Sequence, residues 1–397
     1  MAKDIFICSP TRTAIGNFDG SLKTIPATQL GADVIRETLK RSGLSPETVQ
    51  AIVMGQVVQA GAGMNPARQA AIGGGISVKV PAYTVNRVCG SGAQSIVSAY
   101  LEVVSGNIQC AIAGGMENMD LCPYLLPSGR WGYRMGDGKT VDSMLRDGLN
   151  DAFCGEHSGW VTEDLATKFK ISREEQDAWA LRSQLHFSKA QAEGKCDTEI
   201  APVEVTSHKG TIVFKKDEHN RADTTVESLA KLKPAFRKDG TITAGNASGL
   251  SSAASAMIIA SSDIVKANKL TPMARIVSYG VGAVDPGMFG LGPVSAVQQA
   301  LQRAGWKMAD VERMEINEAF AAIVIAIIRE LGLNKDIVNV EGGAIAHGHP
   351  IGATGAILTT RLLYSMQRDG LKRGVVTLCI GGGQGIAIAL ESINNAT

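Results

Sequence analysis

Three short glycine-wrapped segments hold the residues best suited to chemistry: Val88-Cys89-Gly90-Ser91-Gly92, Gly348-His349-Pro350-Ile351-Gly352-Ala353 and Cys379-Ile380-Gly381-Gly382-Gly383-Gln384-Gly385. Glycine has no Cβ, so such loops take φ > 0 and let backbone N–H groups crowd a substrate oxygen, which is how oxyanion holes and anion nests are built. Two thiols and an imidazole presented this way point to acyl transfer. Cys89 precedes a helical pattern, and a helix N-terminus there is expected to lower its pKa and favour the thiolate. His349 is a candidate base for Cys89, and Cys379 falls at the end of an apolar strand, where α/β sites form. Taken singly, each also has an ordinary reading. A cysteine beside glycines is more often packing than catalytic, a lone histidine is more often a core residue, and Cys379 fits a strand cysteine next to a packing loop. His347 and His349 with two cysteines offer zinc-ligand types, but their spacing matches no structural zinc pattern, so no metal is expected.

The elements that must position these residues repeat at an offset of about 260 residues, the separation of Cys89 and His349, each of which sits just before a helical pattern. Val53-Met54-Gly55-Gln56 corresponds to Glu315-Ile316-Asn317-Glu318, and Cys110-Ala111-Ile112-Ala113-Gly114-Gly115 to Thr377-Leu378-Cys379-Ile380-Gly381-Gly382. Short apolar strands over 51–55, 108–113, 375–379 and 386–390 alternate with Ala-rich helical stretches such as 93–104 and 319–331. Continuous apolar strands between helices indicate a sheet covered on both faces, so the fold class is α/β, with two duplicated halves related by a pseudo-two-fold. Between the halves the composition turns to Pro, Gly, Trp and mixed charge, as in His208-Lys209-Gly210 and Lys215 to Arg221, which reads as an inserted loop domain. Within it, Ser172 followed by Arg173-Glu174-Glu175 is a capping box starting a helix that runs to about Glu193. The expected domains are 1–118 plus 241–270, the insert 119–240, and 271–397.

A chain of 397 residues exceeds what one core accommodates, and its 45% hydrophobic content suits a packed globular protein. A net charge of +1 argues against a general nucleic-acid or anionic-membrane binder. Seven cysteines, odd in number and without CxxC pairs, form a reduced, cytoplasmic pattern. The N-terminal Met1 to Cys8 shows no signal-peptide core and reads directly as a strand. The longest apolar run, Ala319 to Ile328, is ten residues. A bilayer span needs about 20, so this run is a buried helix.

With Cys89, Asn317-Glu318-Ala319-Phe320, Gly348-His349-Pro350 and Cys379-Ile380-Gly381-Gly382-Gly383 in order, the chain resembles the thiolase family, on its acetyl-CoA acetyltransferase branch. The resemblance runs nearly end to end, through Arg12-Thr13-Ala14-Ile15-Gly16, Asn65 to Gln69, Gly114 to Met119, Arg130-Trp131-Gly132 and Thr243 to Gly249. It implies a fold of duplicated halves packed in αβαβα layers. It implies reversible condensation of two acetyl-CoA to acetoacetyl-CoA and CoA, with these CoA thioesters as substrates and no cofactor. By the same resemblance Cys89 is the nucleophile, His349 its base and Cys379 the acid/base at the α-carbon. Asn317 fixes a water that, with His349, stabilises the enolate oxygen, and the N–H groups of Cys89 and Gly381 form a second oxyanion hole. CoA and acyl contacts map onto His157, Arg221, Ser228, Phe236, Ala244 and Ser248, with Leu149, Ala319 and Phe320 lining the pantetheine and acyl pocket. The stretch Pro127 to Lys139 resembles the family's tetramerisation loop, implying a homotetramer built as a dimer of dimers.

The chain departs from that branch at four places. Ser158 and Phe289 stand where Met is usual, Ile323 where Gln is common and Ile357 where Arg is common. The chemistry is untouched, but acyl specificity is opened to longer 3-ketoacyl chains. A ketoacyl-synthase-type condensing enzyme shares the fold but pairs its nucleophile with His-His or His-Asn. A non-catalytic CoA- or lipid-binding homologue would be expected to have lost a catalytic residue, and none is missing here. A Cys/His hydrolase leaves the second cysteine without a purpose.

Overall fold

The computed structural model describes residues 4–207 and 210–393. Residues 1–3 of the expected first strand, and His208 and Lys209 of the charged stretch, lie outside the described residues. The first half comprises β1 (Ile5–Thr13), α1 (Ala27–Ser42), β2 (Ala51–Gly55), α2 (Pro66–Gly73), β3 (Ala82–Val85), α3 (Ser91–Val104) and β4 (Cys110–Asn118). The insert contributes α4 (Ser158–Lys168) and α5 (Arg173–Ala192), after which β5 (Ser251–Ser261) returns to the first half. The second half holds β6 (Pro272–Ala283), α6 (Gly292–Ala304), β7 (Arg313–Ile316), α7 (Ala321–Leu331), α8 (Thr354–Arg368), β8 (Arg373–Ile380) and β9 (Gln384–Ser392).

The strand order is β7-β8-β9-β6-β1-β5-β4-β2-β3. In each half a parallel pair, β2 with β4 or β7 with β8, is continued by antiparallel neighbours, and in the first half β2 also pairs in parallel with β3. The halves join where β1 and β6 pair with Phe6 opposite Arg275. The repeat seen in the sequence is therefore a repeat of pairing pattern. Successive side chains of a strand point to opposite faces, and here both faces are covered. Met257 and Ile259 of β5 join Ile96 of α3 and Leu362 of α8 in a central core, while Ile258 and Ala260 pack outward with Leu30 and Val34 of α1. On the other outer face Val297 of α6 and Val324 of α7 cover Met314 and Ala389. With α3 and α8 inside and the remaining helices outside, the layers are αβαβα.

Strand bounds differ from the sequence reading where glycine intervenes. β4 was expected over 108–113 but runs on through Gly114, Gly115 and Glu117. These glycines are buried strand positions: a Cβ on Gly115 would sit 2.2 Å from the Gly352 carbonyl, so the gap is needed to admit the His349 loop. The run 319–331 becomes helical only from Ala321, with Phe320 in extended conformation at the N-cap. The capping box at Ser172 is present, its hydroxyl accepting from Glu175 N–H while Glu175 caps in return.

A buried ionic cluster ties the insert to both halves. Arg12 of β1 donates to Glu199 at 2.7 Å and to both oxygens of Asp217 at 2.7 and 2.9 Å. Arg361 of α8 reaches Glu199 at 3.0 Å, and Arg368 pairs with Glu341 at 2.6 and 2.7 Å. Removing one member of a buried ion pair leaves an uncompensated charge and costs about 3–5 kcal/mol. Arg12→Met, which keeps the volume and strands Asp217, is expected to lower the free energy of unfolding by that order and to shift the urea midpoint down accordingly. An unchanged midpoint would mean that the cluster contributes nothing.

Candidate active site

Cys89 occupies the turn between β3 and α3. Asn86 Oδ1 accepts the Val88 N–H at 2.9 Å, and Ser91 Oγ accepts from Arg87 N–H at 2.8 Å while donating to Val88 O at 2.7 Å. These bonds hold Val88 at φ 44°, a left-handed conformation that is an outlier for a β-branched residue and costs about 1–3 kcal/mol. The strain turns Cys89 toward the cavity. No pattern in the sequence marks it.

The sequence reading put the Cys89 pKa below normal, and the structure reverses that. Burial pushes the thiol up to about 11, against the opposing pull of the N–H groups of Gly381 and of Cys89 itself. Desolvation outweighs the helix end because Cys89 packs against Val57, Met119, Met144 and Ile351. Cys379 is likewise driven well above its usual value by burial and by its proximity to Cys89. Neither thiol is ionised before substrate binds, so each needs a partner to move its proton.

His349 leaves the short helix Ala344–His347 and precedes α8. Its N–H donates to Gly249 O at 3.1 Å. The preceding Gly348 has φ 97°, and a Cβ there would lie 2.1 Å from Ser251 Oγ, so no other residue fits. Asn317 Nδ2 stands 3.3 Å from His349 Nε2, and Thr354 Oγ1 stands 2.6 Å from Nδ1. Burial lowers the His349 pKa to about 4, so the ring is neutral near pH 7. His347, by contrast, is a core residue whose Nδ1–H donates to the Gly348 carbonyl at 2.9 Å.

Asn317 follows β7, its N–H donating to Thr377 O at 3.0 Å, and its Oδ1 is buried with no hydrogen-bond partner among the described residues. The adjoining Glu318 accepts from Trp179 Nε1, Asn339 Nδ2, Ser183 Oγ and Ile345 N between 2.6 and 3.1 Å, which locks this corner to α5 and to the helix before His349. Glu117 accepts from Val57 N at 3.0 Å and Gly352 N at 2.9 Å, bridging the loop after β2 to the His349 loop.

These groups meet at the floor of a cavity of about 730 Å³. Cys89, His349 and Gly381 line it, and so do Leu149, His157, Arg221, Ser228, Phe236, Ala244, Ser248, Ala319 and Phe320. Asn317 and Cys379 are fully buried just behind, the first touching His349 and the second near enough to Cys89 for a charge there to raise its pKa. His157 stacks on Phe236 with ring centroids 4.6 Å apart, and Phe236 meets Phe320 edge-on at 5.9 Å, giving one wall a continuous aromatic face. His157 Nδ1 accepts the Gly159 N–H at 3.0 Å and burial lowers its pKa, so it presents a neutral ring. The four departures separate by position. Ser158 and Phe289 line the cavity, whereas Ile323 packs behind Gly290 and Ile357 lies in the core with Ile15 and Ala253. Wall residues not foreseen include Met119, Met144, Gln184, His219 and Ile351. Their signal is tertiary, since they come from separate segments, Gln184 from α5 and the others from remote stretches of the chain.

The layered fold and this cysteine–histidine–asparagine corner define a CoA-thioester condensing class. The family profile described as the thiolase N-terminal domain matches residues 5–263, and that of the thiolase C-terminal domain matches residues 270–392. The chain belongs to the thiolase family. It is 51% identical over 389 residues to the acetyl-CoA acetyltransferase of Pseudomonas aeruginosa, covering 98% of this chain and 99% of that one. Identity to the Escherichia coli acetyl-CoA acetyltransferase is 48% over 393 residues, 99% and 100% of the two chains. Among solved structures, the Bacillus anthracis acetyl-CoA acetyltransferase superposes with a TM-score of 0.97 at 40% identity, covering 99% of both chains. Human mitochondrial 3-ketoacyl-CoA thiolase does so at 0.96 and 42% identity, covering 99% of this chain and all of the other.

Proposed function

We propose that this chain is an acetyl-CoA C-acetyltransferase that runs the reversible Claisen condensation through an acyl-cysteine. The observation that carries the reading is the meeting of Cys89, His349 and Gly381 in one cavity with an aromatic wall, with Asn317 buried behind His349 and 3.3 Å from its Nε2. His349 Nε2 takes the Cys89 proton as the thiolate attacks the thioester carbonyl. The N–H groups of Cys89 and Gly381 hold the tetrahedral oxyanion, and CoA leaves as thiolate, taking the proton of Cys379 while the Cys89 proton stays on His349. The Cys379 thiolate so formed removes the α-proton of a second acetyl-CoA. Its enolate oxygen is stabilised by the Nε2–H of protonated His349 and by a water on the otherwise unpartnered Asn317 Oδ1. The carbanion attacks the acyl carbonyl, forming the carbon–carbon bond as the Cys89 sulfur–carbon bond breaks, and the Cys89 thiolate takes its proton back from His349. In thiolysis the steps reverse. Acid, base and oxyanion donors all come from the chain, so CoA thioesters are substrates and no cofactor is called for. Arg221, exposed at the mouth, suits the phosphates of CoA. Measuring acetoacetyl-CoA thiolysis and condensation with purified protein tests this, and absence of both would refute it.

A broader 3-ketoacyl-CoA thiolase is the second reading, favoured by Ser158 and Phe289 on the cavity wall. Serine in place of methionine removes volume while the phenylalanine ring adds a rigid face, so the pocket is reshaped. A methylene in an apolar pocket is worth about 1–3 kcal/mol, or roughly 10- to 200-fold in discrimination. The expected result is that kcat/KM declines by less than about tenfold from the four- to the six-carbon substrate. A steep fall beyond four carbons, with Ser158→Met changing little, would restrict the enzyme to acetoacetyl-CoA.

The working form is proposed to be a cytoplasmic homotetramer. From Pro127 to Lys139 every residue is exposed, with Trp131 at 85% and Met135 at 97%, on an arm tied at its base by pairing of Tyr124–Leu125 with Val141–Asp142. Apolar side chains so displayed need a partner to cover them. Light scattering at micromolar concentration is expected to give four times the chain mass, and Trp131→Ser with Met135→Ser should reduce it to a dimer.

A further inference from the structure

We infer that Thr354 is a positioning residue that sets the tautomer of His349, keeping the proton on Nδ1 and leaving Nε2 unprotonated. The inference rests on the reading of His349 as the base. A neutral imidazole carries one N–H, and which nitrogen keeps it is decided by the partner of the other. Thr354, the first residue of α8, has a single hydroxyl proton, and this donates to Pro350 O at 2.9 Å. Its oxygen is then free to accept, and at 2.6 Å it accepts from His349 Nδ1–H. On the far side of the ring, Asn317 Nδ2 donates to Nε2 at 3.3 Å. All three bonds run in one direction, each donor with an acceptor. The opposite tautomer would require the threonine hydroxyl to leave Pro350 and the Asn317 amide to turn over.

The arrangement is local to one turn and wholly buried, Thr354 at 0% and His349 at 6% exposure, so water does not substitute for the hydroxyl. Cys89 lines the same cavity as His349, and Glu117 accepts the Gly352 N–H three residues further along the loop. Among the described residues no carboxylate is hydrogen-bonded to His349, so the hydroxyl takes the place that an acidic residue holds in many catalytic histidine pairs. Without it, Nδ1–H has no acceptor, the ring moves its proton to Nε2, and Nε2 ceases to be a base for Cys89.

The test is Thr354→Val, which keeps the shape and removes the hydroxyl, beside Thr354→Ser, which restores it. Condensation kcat in the valine variant is expected to fall about 10- to 100-fold with KM little changed, the usual effect of losing a group that orients a functional imidazole. Alkylation of Cys89 by iodoacetamide should fall by a similar factor near pH 7 and recover toward the parent rate as the pH approaches about 11, where the thiol ionises unaided. Serine should restore both. Parent-like alkylation in the valine variant overturns the inference, and so does an equal loss in both variants with no recovery at high pH, which marks a packing role. His349→Asn run alongside keeps the two ideas apart. Full activity in that variant removes the base itself, whereas an inactive asparagine variant beside a fully active valine variant removes only the role of Thr354.

Discussion

Cys89→Ser is expected to stop turnover, with a loss of at least about 1000-fold in both condensation and thiolysis, the scale seen when a covalent nucleophile is removed. Burial already holds the Cys89 thiol at about 11, so even the native sulfur depends on His349 to give up its proton. A serine hydroxyl starts several units higher in the same dry pocket, and a neutral histidine near pH 7 cannot bridge that gap. Size is not at issue, because oxygen is smaller than sulfur and the turn around Val88 is built from backbone and Ser91 contacts that the substitution leaves alone. Brief exposure of the parent to acetyl-CoA followed by peptide mass spectrometry should place acetyl on Cys89. Acetyl on Cys379 in its stead would reverse the assignment.

Cys379→Ala should separate the two halves of the reaction. The acyl-enzyme on Cys89 still forms, because His349 and the Gly381 N–H remain, but the carbon–carbon step loses its proton carrier. A positioned acid/base contributes about 100- to 10,000-fold, and the loss in condensation is expected to fall in that range. A burst of CoA release without acetoacetyl-CoA formation is the signature to record by rapid quench. Near-normal thiolysis of acetoacetyl-CoA together with failed acylation would show that the roles are divided in some other way.

Much of this molecule is written in short-range pattern. Apolar β-branched runs bounded by glycine make strands through local sterics, Ser172 and Glu175 start a helix through bonds three residues apart, and two copies of one pattern fold into two copies of one pairing scheme. The glycine-wrapped Cys89, His349 and Cys379 were visible for the same reason, since a glycine beside a reactive residue is a local demand on φ and on backbone approach. The tertiary structure alone decided the electrostatics. A helix end near Cys89 argues for a low pKa, but the sign is set by burial under side chains from remote loops, and desolvation prevailed. It also decided which departures from the family pattern bear on the pocket: Ser158 and Phe289 face it, while Ile323 and Ile357 are core, a distinction that sequence spacing does not contain. Val88 at positive φ, the Glu117 bridge to Gly352 and the Thr354 contact to His349 arise where segments far apart in the chain, or rigid around a single turn, are packed too tightly to relax. Composition and periodicity thus choose the elements and present the reactive groups. Protonation, tautomer and pocket shape depend on distances of a few ångströms between residues that only the closed fold brings together.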